Sequence, residues 1–218
     1  MNPGYLSWIL VSISLILLAS GWKRILLGRI PDAGIFAFFA AWCILVFSEA
    51  EVGPGLKINL AVLPIAALFL VHLCRRRENA KHLPLISACL FLTSVQYFLK
   101  RIAELDPHLL PYDASLVSAL AAALFALVWT REPEEQIAGI SFAALASHSL
   151  YWLSHREYAP LIPFGNMAFH DEWWLAAVSA RAATAMFTAA GAFVHRAAKS
   201  WNGRRKKVEE WPGNPYDE

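Results

Sequence analysis

The chain has only three cysteines in 218 residues, Cys43, Cys74 and Cys89, and their odd number and wide spacing exclude a disulfide framework or a zinc knuckle. Each lies within or at the end of an apolar run, where a cysteine serves as a small buried hydrophobe. No basic n-region precedes the first apolar run: the sequence opens MNPGY, and Lys23 and Arg24 follow the run. That run is therefore expected to be retained as a helix and not cleaved as a signal peptide. No nucleotide-binding motif is present, nor a nucleophile elbow of the G-x-S-x-G type. There is also no internal repeat and no matched pair of glycine-broken helices of the kind that marks many secondary transporters. The net charge of +2 names no partner, and nothing in it points to nucleic acid.

Apolar residues are abundant. They make up 57% of the chain, and the mean hydropathy is +0.43, a composition that belongs to a membrane protein. A helix needs about 20 mostly apolar residues to cross the roughly 30 Å hydrocarbon layer. Seven runs approach that length: Tyr5 to Trp22, Ala33 to Ser48, Leu56 to Cys74, Leu83 to Leu99, Ala114 to Thr130, Ile137 to Leu153 and Trp173 to His195. The second and fourth are short, so six spans are the competing count.

The cations are divided unequally between alternate connections. Fourteen fall on one side: Lys23, Arg24 and Arg29, then Arg75, Arg76, Arg77 and Lys81, then Arg131, then Arg196, Lys199 and the run from Arg204 to Lys207. Four fall on the other: Lys57, Lys100, Arg101 and Arg156. The positive-inside rule makes the first side cytoplasmic, which puts the N-terminus outside and the C-terminus inside and requires an odd number of spans. Tryptophans favour the headgroup level and agree with this register: Trp8, Trp152, Trp173 and Trp174 fall near outer ends, and Trp22, Trp129 and Trp201 near inner ends. Only Trp42 lies within a run away from both ends. The expected fold is an all-α multispan transmembrane bundle of about seven helices. Residues 1–200 form one bundle domain, and residues 201–218 a short cytoplasmic tail, basic then acidic. The loop at 154–172 carries Pro160 and Pro163, which exclude a regular helix there; it is read as an interfacial loop, with a cover over the outer mouth as the alternative.

Polar residues inside spans are the candidate site. Arg181 interrupts the seventh run, with Trp174, Ala177, Thr184 and Thr188 on the same helical face. By helical rise, Arg181 lies ~12 Å, His148 ~13 Å, Gln96 ~10 Å and Glu49 ~6 Å below the outer boundary. A buried guanidinium needs a counterpart. Glu49 is the preferred partner, assisted by Gln96, with snorkelling and an anion site using Lys100 or Arg101 as the other readings. The candidate binding residues are therefore Arg181, Glu49, Gln96, His148, Lys100 and Arg101, with no catalytic residue, metal ligand or cofactor expected.

The function expected is a non-enzymatic binding, sensing or transport-related bundle in the plasma membrane, with the lipid bilayer, an anionic lipid or a small anionic ligand as its partners. One rival is a metal-dependent intramembrane lipid hydrolase using His148, His155 and His170. Another is a structural subunit that joins a membrane-protein partner or a second copy through the small-residue faces of its fifth and seventh helices. The layout of a short hydrophobic chain with a basic tail, together with AELDPHLLPYD before the fifth helix, resembles the YphA-type membrane proteins of Gram-positive spore-forming bacteria. That resemblance covers the whole chain. It implies a plasma-membrane protein and carries no functional residue.

Overall fold

The first apolar run bends where its sequence turns small. Helix α1, Tyr5–Leu17, passes into a five-residue π-helical segment, Leu18–Trp22, and then into α2, Lys23–Leu26. Gly21 has φ of +90° there, and a Ser-Gly pair is one of the few recognised causes of a sharp kink. The computed structural model describes residues 2–28, 30–53, 56–75, 82–106, 108–109, 112–155 and 164–209. The proline-bearing stretch 156–163 and the acidic end of the tail lie outside the described residues.

Six more helices follow: α3 Asp32–Leu45, α4 Val62–Arg75, α5 His82–Leu105, α6 Ala114–Trp129, α7 Pro133–His155 and α8 Met167–Glu209. With α1 to α2 taken as one unit, the seven expected runs each become a helical unit, and the fold is all-α as expected. Among the described residues three units are long and apolar enough to cross a membrane, Tyr5–Leu26, Leu83–Leu105 and Met167–Arg196, and three shorter ones are apolar, Asp32–Leu45, Val62–Arg75 and Ala114–Trp129. Helix α8 is continuous through the expected boundary at 200.

One expected span begins in the wrong place. Leu56 does not open a helix; strand β1, Glu49–Gly53, pairs antiparallel with β2, Leu56–Asn59, in the register Glu49 to Asn59, Ala50 to Ile58 and Glu51 to Lys57. The alternation Leu-Lys-Ile-Asn has the period of a strand, and Lys57 meets Glu51 across the pair at 3.3 Å. Phe164 extends this hairpin by a parallel bridge to Ile58, donating to the Lys57 carbonyl at 2.7 Å and accepting from the Asn59 amide at 2.9 Å. The buried Asn59 side chain donates to the Val46 carbonyl and accepts from the Ala61 amide, joining the end of α3 to the start of α4. The hairpin thus seals the end of the bundle where α1 and α8 begin; we call this the hairpin end, and the opposite one the tail end.

Gly165 makes the closure possible. Its φ is +71°, and a Cβ there would lie 2.2 Å from Val62 Cγ2. The left-handed conformation costs an L-residue about 1–2 kcal/mol, and overpacking adds about 1–3 kcal/mol. Gly165→Ala is therefore expected to lower stability by about 3 kcal/mol in detergent unfolding. Gly21→Ala, with positive φ but no atom within 4 Å of its Cβ, should show only the backbone cost of about 1–2 kcal/mol. Equal effects would remove the steric account.

Small residues bring the central helices together. The buried face of α6 is Ser118, Ala119, Ala122, Ala123 and Ala126, opposite Ala176, Ala177 and Ala180 of α8. Between helices in lipid, such residues allow the close backbone approach that dispersion attraction requires. Trp173 and Trp174 of α8 are also buried and pack with Phe38, Phe39 and Trp42 of α3.

Candidate functional site

Helix α8 starts earlier than its apolar run. Asn166 precedes it and its side chain accepts from the Phe169 amide at 3.0 Å, the geometry of an N-cap. His170, Asp171 and Glu172 consequently lie in the helix, and three consecutive residues at about 100° steps point in three directions. Asp171 accepts from the Gly4 amide at 2.7 Å and from the Ser7 amide and hydroxyl at 2.6 Å. A carboxylate among the free N–H groups that open α1 is favoured by both hydrogen bonding and the helix dipole. His170 Nδ1 accepts from the indole N–H of Trp42 at 3.4 Å. Glu172 accepts from Ser118 of α6 at 2.6 Å and pairs with Lys100 of α5 at 2.9 Å.

A layer of buried polar groups lies around this last pair. The Lys100 and Glu172 side chains are 12% and 5% exposed. Gln96, one turn from Lys100 on α5, is fully buried; its Oε1 is 3.5 Å from the Ser147 hydroxyl, and its amide nitrogen has no partner. His148 is buried, accepts from the Gly165 amide at 3.2 Å, and lies within electrostatic range of Lys100 and His170. Because His170 accepts at Nδ1, its neutral ring carries the proton on Nε2; that buried atom makes no hydrogen bond of good geometry, and the ring interacts with the Gly165 backbone. Lys100, Gln96 and His148 from the sequence-derived set thus stand in one layer at the hairpin end. Arg101 does not join them; it pairs with Glu104 at 2.7 Å, next to His155. Glu172 and Asp171 were missed because the reading placed them in a loop, although Asn166 signals a helix start.

Arg181 lies elsewhere. Its guanidinium donates to the carbonyls of Leu26 and Ile25, the latter at 3.0 Å, and to Gln136 Oε1 at 2.6 Å. Glu49, the expected partner, is on β1 opposite Asn59 at the other end of the bundle. The depth estimate failed because α8 begins at Met167 and not Trp173, which moves Arg181 about 9 Å further along the axis. The carbonyls it meets are in the last turn of α2, where a helix leaves acceptors unpaired and its dipole favours a cation. Gln136 continues the network, donating to the carbonyls of Ala126 and Thr130 where α6 ends and to the Thr184 hydroxyl. Arg181 therefore ties the middle of α8 to the tail ends of α2, α6 and α7. Gln136 was also missed, although Pro133, Glu134 and Glu135 before it are helix-start chemistry.

The three histidines of the hydrolase reading do not form one ligand set: His148 and His170 share the polar layer, and His155 stands apart from them. His148 is on Gly165, His155 on Glu104 and His170 on Trp42. Among the described residues no group of three His, Cys, Asp or Glu side chains could hold a metal ion.

No curated protein and no solved structure matches this sequence. The family of YphA-like integral membrane proteins matches over residues 34–208, a stretch that runs from α3 through nearly all of α8 and includes the buried polar layer. The chain belongs to the YphA-like integral membrane protein family.

Proposed function

We propose that this membrane protein is a non-enzymatic binding or sensing bundle whose site is the polar layer at the hairpin end, formed by Gln96, Lys100, His148, His170 and Glu172. The observation that carries the reading is the pair of buried donors without well-placed acceptors, Gln96 Nε2 and His170 Nε2. A buried donor left unpaired costs about 1–3 kcal/mol, so such groups mark places where a ligand is accommodated. Both groups are donors, which selects a small ligand that accepts hydrogen bonds, a carboxylate or an amide carbonyl. Lys100 is already paired with Glu172 at 2.9 Å, so the layer as a whole does not choose between the two. The excess of cations at the opposite end supports the hairpin end as the outer face, so the ligand reaches the layer from outside the cell.

Thermal unfolding of the full chain in detergent tests this with acetate, acetamide and methylammonium as probes at millimolar concentration. Acetate or acetamide should raise the unfolding temperature, since a ligand at 100 times its Kd stabilises by about 2.7 kcal/mol, whereas methylammonium, which has no acceptor, should not. Gln96→Leu should abolish the shift while leaving the unliganded protein as stable or more so, because it removes an unpaired donor. The reading fails if no acceptor shifts the transition, or if the shift survives in Gln96→Leu.

A further inference from the structure

Helix α3 is buried mainly near its hairpin end, and the Lys23–Asp32 ion pair at 2.6 Å ties its other end to α2. Trp42 and Val46 near its hairpin end are buried in the core, and its tail half lies over two neighbouring, mainly apolar clefts, the wider also lined by His72, Arg75 and Glu134. The wider, about 350 Å³, lies between α3, α4 and α7. The narrower, about 140 Å³, lies between α1, α3 and α8 and has Arg181 in its wall. Ile30, Gly34, Phe38, Leu68 and Ile137 line both, so the two clefts adjoin beneath α3 across these side chains.

The polar groups of the narrow cleft are incompletely matched. Arg181 is 6% exposed, and its three hydrogen bonds go to neutral oxygens. Among the described residues no carboxylate lies within ion-pair distance of it, Glu132 acting on it only at longer electrostatic range. Of the five guanidinium N–H donors, one on each terminal nitrogen remains unused. Trp174, two turns away on the same wall and 4% exposed, also has an indole N–H with no partner.

We propose that the space beneath α3 binds a long-chain carboxylate, a fatty-acid anion, with its head on Arg181 and its chain along the adjoining clefts. The charge of Arg181 selects an anion, and the apolar walls select a hydrocarbon tail. The burial of Arg181 and the narrowness of its cleft select a single chain with a small head over a diacyl phospholipid, whose glycerol phosphate would have to enter the bundle. The combined space falls in the size range of ligand sites, about 300–1,000 Å³. A fatty-acid anion inserts into the bilayer from either leaflet, so a cleft that opens sideways is a sufficient entrance.

Binding of radiolabelled oleate to the full chain in dodecyl maltoside tests the assignment, with oleyl alcohol and dioleoyl phosphatidylglycerol as competitors. Oleate should bind one to one and at least tenfold more tightly than either competitor. Gly34→Leu fills the shared region from a position where a Cβ meets nothing nearer than Pro31 Cγ at 3.5 Å, and should weaken oleate at least tenfold without lowering the unfolding temperature. Ala182→Leu, at an exposed lining position beside Arg181, should weaken it similarly, and serves if Gly34→Leu does not fold. Equal affinity for the alcohol removes the role of Arg181, and stronger competition by phosphatidylglycerol makes the occupant a phospholipid. Unaltered oleate binding in the folded variants places the acid elsewhere. Each of these three results overturns the proposal.

Discussion

Arg181→Ala is expected to destabilise the protein by about 3 kcal/mol, the loss of three buried hydrogen bonds offset in part by removal of a buried cation without a counter-charge. The substitution strands the carbonyls of Ile25 and Leu26 at the end of α2, each worth about 1–3 kcal/mol when left unpaired, and leaves Gln136 Oε1 of α7 with only the Thr184 hydroxyl at 3.3 Å. Arg181→Lys should recover less than half of the loss, because an ammonium is a point donor and cannot span three acceptors held by two different elements. Glu49→Gln should have no effect in either background, since β1 holds that residue at the hairpin end. Chemical unfolding in detergent measures all four proteins. A neutral Arg181→Ala would mean that the arginine snorkels, and rescue by Glu49→Gln would restore the pairing that sequence alone favours.

The contrast between Arg181 and the polar layer shows what a sequence of this kind discloses. Hydropathy located seven helical units, because a helix in lipid must be apolar over a set length whatever it packs against. The same signal misplaced helix ends, since polar first turns such as Phe169-His170-Asp171-Glu172 contribute nothing to an apolar run. A shift of one and a half turns at the start of α8 moved Arg181 out of one layer and into another. Its partners were invisible for a second reason: two of the three are backbone carbonyls, which every residue has and no composition reveals. The hairpin was hidden in an apolar stretch whose period-two alternation covers only four residues, Leu56–Asn59. Gln96, His148 and Lys100 were legible as buried polar groups on inward faces. Glu172, which organises them, was not.

The Lys100–Glu172 pair gives the second large effect, and its two halves should not be equivalent. Both side chains are almost wholly buried, at 12% and 5% exposed, so removing either leaves an unpaired charge at a cost of about 3–5 kcal/mol. Lys100, however, is a long side chain five residues from the end of α5 at Leu105, and without its partner it can extend its ammonium towards the headgroups. Glu172 is shorter and is held by the Ser118 hydroxyl at 2.6 Å, which fixes its carboxylate in the interior. Lys100→Met is therefore expected to cost more than Glu172→Gln, which in addition keeps an acceptor for Ser118. The double variant should be more stable than Lys100→Met alone, with a coupling of about 2 kcal/mol, near the upper part of the range for residues in direct contact. Replacing Glu172 by Leu in the Lys100→Met background should give back about 1 kcal/mol of that gain by leaving Ser118 without its acceptor. Detergent unfolding of the two single and two double variants decides the matter: additive losses, or a Glu172→Gln variant less stable than Lys100→Met, would show that the charges do not depend on each other at this depth.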